Sequence, residues 1–371
     1  MAKTYDVAVI GAGVFGAWTA YCLRRAGAEV LLVDAYGPGN SRSSSGGESR
    51  IIRLGYGPDE IYTRSAQRSL KLWRQMFEEI GPHAAPLLQN TGVLWLARGQ
   101  DAYCEAVLST LQNAGATFEK LDGAELLRRF PQIAPDQTAW GILEPDAGVL
   151  MARRAVQAVV MRAREIGVDY RQARITAETR IDANRSVFAC GPWLPKLFPE
   201  LLGELIHVTR QEVFFFGVPS GDERFGPRAL PAWIDFNDLV YGIPNLEGRG
   251  FKMAIDAHGP QFDPDTGERV VSPEGLNAAR SYLARRIPLL ADAPVLETRV
   301  CQYENTSNGD FLIDRHPEFE NVWIAGGGSG HGFKHGPAVG EYVAAMIGGT
   351  GTAEPRFSLA TKQKVQLRQV F

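Results

Sequence analysis

The apolar positions at the start of the chain predict a βαβ unit. Residues 6–10 form a short apolar run, which indicates a buried strand, and apolar residues recur with helical spacing over 17–25. Gly27 marks the end of that helix, and residues 29–33 indicate a second strand, closed by Asp34. Because a helix connects the two strands, we expect them to lie parallel in one sheet.

Both periodicities continue along the rest of the chain. Helical spacing predicts helices at 60–80, 102–114, 124–130, 151–166 and 276–286. Extended patterns predict strands at 92–97, 169–172, 186–189, 298–303 and 310–314. Short β-rich runs broken by Gly and Pro predict antiparallel strands between residues 208 and 255. Residues 37–57 are rich in Gly, Ser and Arg without periodicity, and they predict a loop of functional length.

A second glycine-rich turn lies near the other end of the chain. Residues 322–346, VWIAGGGSGHGFKHGPAVGEYVAAM, run from an apolar strand through five glycines to an apolar helix. Two such turns suggest a long cofactor held at both ends.

The order of these segments predicts an α/β (α+β) fold with two domains. A Rossmann-like cofactor-binding domain would be discontinuous, and a mixed or antiparallel β-sheet substrate domain would be inserted into it. We assign residues 1–82, 146–204 and 296–371 to the cofactor domain, and 83–145 and 205–295 to the substrate domain.

Length and composition agree with a two-domain globular enzyme. At 371 residues the chain is long for one hydrophobic core, and its net charge of -3 shows no basic excess for nucleic acid or a membrane surface. The four cysteines are scattered without a CxxC pair, so neither a metal site nor a disulfide framework is indicated. No apolar run approaches the roughly 20 residues of a membrane span. No signal peptide precedes the first strand, so we expect a cytoplasmic protein.

The first turn carries a dinucleotide-binding fingerprint. Gly11, Gly13 and Gly16 give the spacing GxGxxG between a strand and a helix. In this motif the first glycine allows a sharp turn, the second lets a pyrophosphate approach the backbone, and the third allows close helix packing. The helix N-terminus favours phosphates, and Asp34 stands where a carboxylate can accept from a ribose hydroxyl. A fortuitous glycine-rich turn is the alternative.

The second glycine turn favours FAD over NAD as the cofactor. FAD is the longer molecule, and its isoalloxazine ring must be bound far from the first βαβ unit. NAD enzymes rarely need a second glycine turn near the C-terminus. A flavin-binding protein without turnover stays open as an alternative at this point.

Several sequence blocks carry a family resemblance. Besides the fingerprint, these are SGGESRIIRLGYG at 45–57, VTRQEVFFF, LVYGIP, GFKMAI, CQYENTSNGDFLIDRHP and SGHGFK. Together they resemble the family of monomeric sarcosine oxidase and N-methyltryptophan oxidase, which are FAD-dependent amine oxidases. The resemblance spans nearly the whole chain. It implies a discontinuous FAD domain packed on a substrate domain with a six- to eight-stranded sheet, and it favours a monomer.

The same resemblance implies a covalent flavin. The segments CQY at 301–303 and DRHP at 314–317 stand where the family has C-x-Y and D-x-HP, and the family cysteine forms a thioether to the flavin 8α carbon. Sequence context alone favours a small buried hydrophobe at Cys301, whereas the resemblance favours the covalent bond, and a dissociable flavin is the alternative. Further cofactor contacts implied by the resemblance are Val14, Phe15, Ser43, Arg50, Gly327, Gly330, Gly332, Phe333 and Lys334.

Four cations receive roles from the resemblance. Arg53 and Lys334 are assigned to the substrate carboxylate, and Arg50 lies close to the flavin ring, where positive charge stabilises the anionic reduced form. Lys252 matches the lysine that promotes the reaction with oxygen, because a nearby cation lowers the barrier to superoxide formation. For each of these residues, a solvated surface charge is the alternative.

The remaining contacts concern the substrate side. Tyr241 and Tyr303 match tyrosines that line it, with a catalytic role for Tyr241, although both could be core tyrosines. His331 is interpreted as a structural or flavin-contacting residue. Asp256 and Gly46 depart from the family, which tends to carry histidine at the first position and, in sarcosine oxidases, at the second. These departures leave the exact substrate open.

The predicted function is an FAD-dependent oxidase of a small secondary amino acid, N-methylated or cyclic. Hydride transfer to the flavin would give an imine that water hydrolyses, and reoxidation by O2 would give H2O2. No residue is assigned as a strong base if the amine binds neutral. The alternatives are a dehydrogenase with another electron acceptor, a D-amino-acid oxidase-like activity, and a non-catalytic flavin-binding protein.

Overall fold

The computed structural model describes residues 4–134, 136, 139–176, 179 and 181–367. Its strands within these ranges are β1 (Tyr5–Ile10), β2 (Val30–Asp34), β3 (Arg50–Ile52), β4 (Leu88–Gln89), β5 (Val93–Arg98), β6 (Glu119–Leu121), β7 (Ala139–Glu144), β8 (Gly148–Leu150), β9 (Asp169–Gln172), β10 (Ala183–Phe188), β11 (Ile206–Phe216), β12 (Ala232–Asp235), β13 (Val240–Ile243), β14 (Phe251–Ile255), β15 (Val295–Thr306), β16 (Leu312–Arg315) and β17 (Val322–Gly326).

The α-helices of the same ranges alternate with these strands. They are α1 (Val14–Arg25), α2 (Glu60–Ile80), α3 (Ala102–Asn113), α4 (Gly123–Arg129), α5 (Ala152–Glu165), α6 (Leu194–Leu197), α7 (Pro199–Leu202), α8 (Pro273–Arg286) and α9 (Gly336–Ile347). None of the described helices is long and apolar enough to cross a membrane.

A six-stranded sheet forms the nucleotide-binding part. Its order is β16-β17-β10-β1-β2-β9, and all neighbours are parallel except the edge pair β16 and β17. Its strands come from the start, the middle and the end of the chain. The fold class predicted from the sequence, with a discontinuous Rossmann-like domain, is therefore confirmed.

An eight-stranded sheet forms the second layer. Its order is β15-β11-β14-β13-β12-β5-β7-β6, and its neighbours are antiparallel except β12 and β5. The long strand β15 pairs with β11 in this sheet, and its end reaches the second glycine turn, where Ser329 N–H donates to Glu304 O at 3.0 Å. The exact domain boundaries stay a prediction, and we propose that β15 is the element shared by both domains.

Some strands were missed by the pattern. β3 lies inside the segment predicted as a loop and pairs with β8 in a small third sheet. β6, β7 and β8 were not predicted either. Three-residue strands are too short to show alternation, and Gly141 interrupts the pattern of β7. At Gly141 an added Cβ would lie 3.0 Å from Trp95 O on the neighbouring strand, so the pairing itself favours glycine there.

Helices α1 and α9 pack closely, which brings the two glycine turns together. A Cβ on Gly336 would lie 2.4 Å from Val14 Cγ2, and one on Gly340 would lie 2.6 Å from the Trp18 carbonyl carbon. The helix backbones can approach this closely because both positions lack a side chain. Gly336 therefore serves the packing of α9 on α1.

Candidate functional site

The fingerprint turn has the geometry its glycines predict. Gly11 has φ of +105°, and a Cβ on it would lie 2.3 Å from Ala189 O. A Cβ on Gly16 would lie 1.8 Å from Gly11 O, so this residue is required by packing. At Gly13 the nearest atom would be Ser45 Oγ at 3.4 Å. The protein alone would tolerate a side chain at Gly13, and its open side fits the close approach of a phosphate.

A cavity of about 380 Å³ begins at this turn and is lined by both glycine turns. It brings together most of the predicted cofactor contacts, namely Gly11, Gly13, Val14, Phe15, Asp34, Ser43, Arg50, Cys301, Gly330, Gly332 and Phe333. Gly327 is placed behind the wall, since a Cβ on it would lie 2.6 Å from Thr306 Cγ2. The cavity lining includes Asp34, residues of both glycine turns and Phe333, and this lining fits an FAD bound along both turns.

Asp34 closes one end of this cavity. Its Oδ2 accepts from Ala12 N–H at 2.7 Å, and its Oδ1 accepts from Tyr36 N–H at 2.8 Å and Gly37 N–H at 2.9 Å. These backbone donors fix the carboxylate at the end of β2. The arrangement fits the predicted role of Asp34 as an acceptor for a ribose hydroxyl.

Cys301 and Arg50 meet at the other end. Arg50 Nη2 lies 3.3 Å from Cys301 Sγ and also donates to Ser44 O at 2.9 Å. Cys301 is 7% exposed, and it lines the large cavity. A guanidinium in contact with sulfur stabilises negative charge that develops there, which favours nucleophilic attack by the thiol group.

A second cavity of about 90 Å³ lies beside Cys301. It contains the predicted substrate contacts Arg53, Tyr241, Tyr303 and Lys334. The two cavities share the lining residues Arg50, Cys301, Tyr303, Ser329, Gly330 and Phe333. A ligand in the small cavity would therefore lie next to the Cys301 end of the large one.

Arg53 is positioned by a residue that sequence reasoning missed. The carboxylate of the fully buried Glu144 accepts from Leu54 N–H at 2.6 Å, Gly55 N–H at 3.1 Å and Trp95 Nε1 at 2.6 Å. The Arg53 guanidinium donates to Gly55 O and lies 4.9 Å from the Trp95 ring. The buried carboxylate thus fixes the loop that presents Arg53 to the cavity.

Lys334 is the second cation of the small cavity and is 5% exposed. Its Nζ donates to Tyr56 Oη at 2.7 Å and to His331 O at 3.0 Å. Burial, with the nearby charge of Arg53, lowers the pKa of Lys334 well below its usual value. A bound anion would counteract both effects, so the site favours a ligand with a carboxylate.

Asp256 adds a carboxylate to the same cavity. Tyr303 Oη donates to Asp256 Oδ1 at 2.6 Å. Burial raises the pKa of Asp256, while the Tyr303 hydrogen bond and the charges of Arg53 and Lys334 oppose this shift. Burial also raises the pKa values of Tyr241 and Tyr303, so both phenols stay protonated and can donate hydrogen bonds. The sequence identified Asp256 only as a departure from the family, and the structure places it on the wall of the small cavity beside Tyr303, a predicted substrate contact.

Lys252 lies behind the walls of both cavities described above. Its Nζ donates to Ser49 O at 2.7 Å and to Ser49 Oγ at 3.3 Å, and it is 2% exposed. Arg50 Nη1 donates to the same Ser49 carbonyl at 2.9 Å. Burial and the charge of Arg50 lower the pKa of Lys252 well below its usual value. The predicted oxygen-activating lysine therefore shares a hydrogen-bond acceptor with Arg50.

Gly46 departs from the sarcosine oxidase pattern for a steric reason. A Cβ on Gly46 would lie 1.8 Å from Asn40 O. This backbone therefore has no room for the histidine that the resemblance leads one to expect.

Glu304 is a cavity residue with no signal in the sequence motifs. Its Oε1 accepts from Gly328 N–H at 3.3 Å, whereas Oε2 is buried without a hydrogen-bond partner among the described residues. Burial raises the pKa of the Glu304 carboxyl to about 7. Glu304 lies on β15, next to the predicted contact Tyr303, and it is a polar residue in the lining of the large cavity.

Glu304→Gln is expected to stabilise the protein at high pH. A carboxyl whose folded pKa is raised to about 7 contributes stability that is present below about pH 4.5 and is lost as the pH rises through 7. The loss amounts to about 3 kcal/mol, and glutamine would escape it. The melting temperatures of both proteins at pH 5 and pH 8 measure this difference. Glu297→Gln, on the half-exposed part of the same strand, is the control. Equal pH dependence in the wild type and Glu304→Gln would contradict the assignment.

The comparison with known proteins agrees with this arrangement. The sequence profile of the DAO family of FAD dependent oxidoreductases matches residues 6–346. The chain belongs to this family, and it is an FAD-dependent oxidoreductase.

Individual relatives have more specific names than the family. The chain is 31% identical over 400 residues to the monomeric sarcosine oxidase of a Bacillus species, across 100% of this chain and 98% of the relative. It is 29% identical over 355 residues to the N-methyl-L-tryptophan oxidase of Salmonella arizonae, across 92% of this chain and 94% of the relative. The resemblance inferred from the sequence blocks is thereby confirmed.

Solved structures share the fold at lower identity. The L-proline dehydrogenase from P. horikoshii superimposes with a TM-score of 0.82 at 21% identity, covering 97% of this chain and 98% of that one. Amadoriase I from Aspergillus fumigatus, a fructosyl amine oxidoreductase, gives a TM-score of 0.77 at 20% identity, covering 97% and 90%. The fold thus occurs in both a dehydrogenase and an oxygen oxidoreductase.

Proposed function

We propose that this protein is an oxidase of a small amino acid with a secondary amine. The observation that carries the proposal is the small cavity beside Cys301, where Arg53 and Lys334 are both buried. Both side chains line this cavity, and a guanidinium and a lysine amine are the groups that form charge-assisted hydrogen bonds with a carboxylate. The names of the relatives, which act on sarcosine and N-methyl-L-tryptophan, support the amine half of the proposal.

The size of the cavity narrows the substrate. A volume of about 90 Å³ holds roughly six to nine water-sized groups, at about 10–15 Å³ for each. This favours sarcosine or a small cyclic amino acid over one with an indole side chain.

In this proposal the residues of the chain bind and orient the substrate. Arg53 offers a planar guanidinium and Lys334 a compact amine, so together they can fix a carboxylate in one orientation. FAD, when bound, supplies the two-electron acceptor and returns the electrons to O2, giving H2O2. Positioning the C–H bond beside the acceptor is the main contribution of the protein. Water hydrolyses the resulting imine.

We further propose that Cys301 carries the flavin through a thioether to the 8α carbon. The support is its place on the wall shared by both cavities and its contact with Arg50. A dissociable flavin is the competing outcome.

A dehydrogenase with another electron acceptor is the second candidate function. The observation that favours it is the position of Lys252, which is buried close to the charge of Arg50 and has a pKa well below its usual value. A lysine that loses its charge more readily would assist the reaction with oxygen less.

The carboxylate requirement gives the first functional test. Sarcosine and N-methylethylamine are both secondary amines, but only sarcosine has a carboxylate. We expect sarcosine to reduce the flavin under anaerobic conditions with a kcat/KM at least about 100-fold higher, because two charged hydrogen bonds contribute roughly 3 kcal/mol or more. Flavin absorbance measures the reduction, and an oxygen electrode measures the oxidase half. The screen extends to other N-methyl, cyclic and D-amino acids, and no reduction by any of them would overturn the proposal.

A further inference from the structure

A continuous chain of hydrogen bonds leads away from the small cavity through Lys334. Lys334 Nζ donates to Tyr56 Oη at 2.7 Å, and Tyr56 Oη lies 2.6 Å from His335 Nε2. His335 Nδ1 lies 2.9 Å from Ser65 Oγ, on helix α2. Tyr56 and His335 are fully buried, whereas Ser65 is half-buried. These hydrogen bonds therefore connect the small cavity with Ser65, a half-buried residue of α2.

The chain can carry a proton because its members exchange donor and acceptor roles. His331 Nε2 can only donate to the Gly309 carbonyl, at 3.1 Å, so neutral His331 offers Nδ1 as an acceptor to Tyr56 Oη, at 3.1 Å. The single Tyr56 proton can therefore point to His331 or to His335 Nε2. When it points to His331, His335 can donate to Tyr56 and accept from Ser65. These two arrangements differ by one proton transfer along the chain.

The surroundings of the chain exclude water and are positively charged. The rings of Tyr62 and Phe311 lie 5.6 and 5.5 Å from the His335 ring. Burial, together with the charges of Lys334, His331 and Arg53, lowers the pKa of His335 well below its usual value. Asp256 and Glu144 are the carboxylates whose charges act on Lys334, and they oppose the lowering of its pKa. His335 is therefore neutral, and it can pass a proton without holding one.

We propose that Lys334, Tyr56, His335 and Ser65 form a proton relay between the bound amino acid and solvent. This inference rests on the proposed function, because it assumes a substrate whose carboxylate is bound at Lys334. It gives Lys334 a second role besides anchoring, and it makes Tyr56 and His335 positioning and relay residues.

The proton balance explains why a relay is needed. A substrate that arrives as a zwitterion, with R–NH2⁺ and COO⁻, must lose one proton before its amine can be oxidised. In an α-amino acid the amine and carboxylate are two bonds apart, so an amine anchor at the carboxylate can accept this proton. Lys334–NH2 becomes Lys334–NH3⁺, and its N–H bond replaces the broken N–H bond of the substrate. Oxidation then moves two electrons and one hydrogen as hydride to the cofactor.

The relay acts after the product leaves. Without the carboxylate, burial and Arg53 again disfavour the charged lysine. Its proton then passes to Tyr56 Oη while the Tyr56 proton passes to His335, and the His335 proton passes through Ser65 to solvent. Each bond broken along the chain is matched by one formed, and no other reactant is needed.

Variants of His335 separate a relay from a merely structural network. His335→Phe removes the hydrogen bonds and keeps an aromatic ring, whereas His335→Gln keeps a polar group that cannot shuttle a proton. Ser69→Ala is the matched control, because Ser69 also lies on α2 and accepts from Ala338 N–H at 3.3 Å, but it is outside the relay. The measurements on each flavin-loaded protein are the first flavin reduction by sarcosine without oxygen, steady-state turnover in H2O and D2O, and the Kd of acetate.

We expect both His335 variants to reduce the flavin in the first turnover at the wild-type rate and to bind acetate with an unchanged Kd. Their steady-state turnover should fall roughly 10- to 100-fold, with a solvent isotope effect larger than that of the wild type. Ser69→Ala should match the wild type throughout. If either His335 variant turns over at the wild-type rate with an unchanged isotope effect, the relay is wrong. An altered acetate Kd together with slow first reduction would assign the network a structural role instead. Failure of every amino acid to reduce the wild-type flavin would overturn the proposed function itself.

Discussion

Replacing Cys301 by serine is expected to convert a permanently bound flavin into a dissociable one. In the wild type, acid precipitation should leave the yellow colour in the protein pellet, because a thioether survives unfolding. In Cys301→Ser the colour should move entirely to the supernatant. The physical reason is that serine is a far weaker nucleophile than a thiol group next to the Arg50 guanidinium, 3.3 Å away.

Cys190 provides the matched control for this experiment. It also lines the large cavity, but its Sγ donates to Ile10 O at 3.3 Å, and burial raises the pKa of its thiol. Cys190→Ser should therefore retain the colour in the pellet. Yellow supernatant from the wild type would show a dissociable flavin and would overturn the covalent proposal. A colourless wild-type protein would call into question the binding of the flavin itself.

Replacing Lys252 by methionine is expected to slow the reaction of the reduced flavin with oxygen by roughly 1,000-fold. A cation about 4 Å from a forming superoxide, at an effective dielectric constant of about 20, lowers the barrier by about 4 kcal/mol. Methionine has a similar length without the charge. Flavin reduction by the substrate should change little, since Lys252 lies outside the substrate cavity.

The lowered pKa of Lys252 adds a pH dependence with a definite sign. Lysine carries its charge only below its pKa, and burial with Arg50 places that pKa well below the usual value. The wild-type oxygen reaction should therefore slow as the pH rises, towards the rate of Lys252→Met, and the variant should show no such trend. Stopped-flow mixing of reduced enzyme with oxygen across the pH range measures both. Lys196→Met, which removes a lysine from the large cavity wall, is the control. An unaffected oxygen reaction in Lys252→Met would favour the dehydrogenase alternative.

The site was partly predictable because some of its chemistry is local in sequence. The positions of Gly11, Gly13 and Gly16 follow from the turn that joins β1 to α1, and only glycine fits at position 16, because a Cβ there would lie 1.8 Å from Gly11 O. The helix 60–80 was predicted with the bounds that α2 has, because its apolar face repeats over many turns. Short strands such as β3 carry no such repeat and were missed.

Other parts of the site depend on contacts between distant segments. Glu144 fixes the loop of Arg53 from about ninety residues away, and its role has no local signature. Glu304 differs from any exposed glutamate only by its burial, which comes from the packing of β15 against the second glycine turn. Asp256 was noticed in the sequence, but its contact with Tyr303 requires the pairing of separate strands.

The sequence by itself indicated a dinucleotide cofactor, which we expect between the two glycine turns, and it predicted an α/β fold with an inserted sheet. Both follow from local spacing and periodicity, which act over a few residues. The tertiary structure decided which cations line the small cavity, that Lys252 and Arg50 donate to the same Ser49 carbonyl, and that Lys334 connects through Tyr56 to His335. These relations join residues far apart in the chain, and burial sets their charges. Only the packing of the folded chain determines these contacts and these charges.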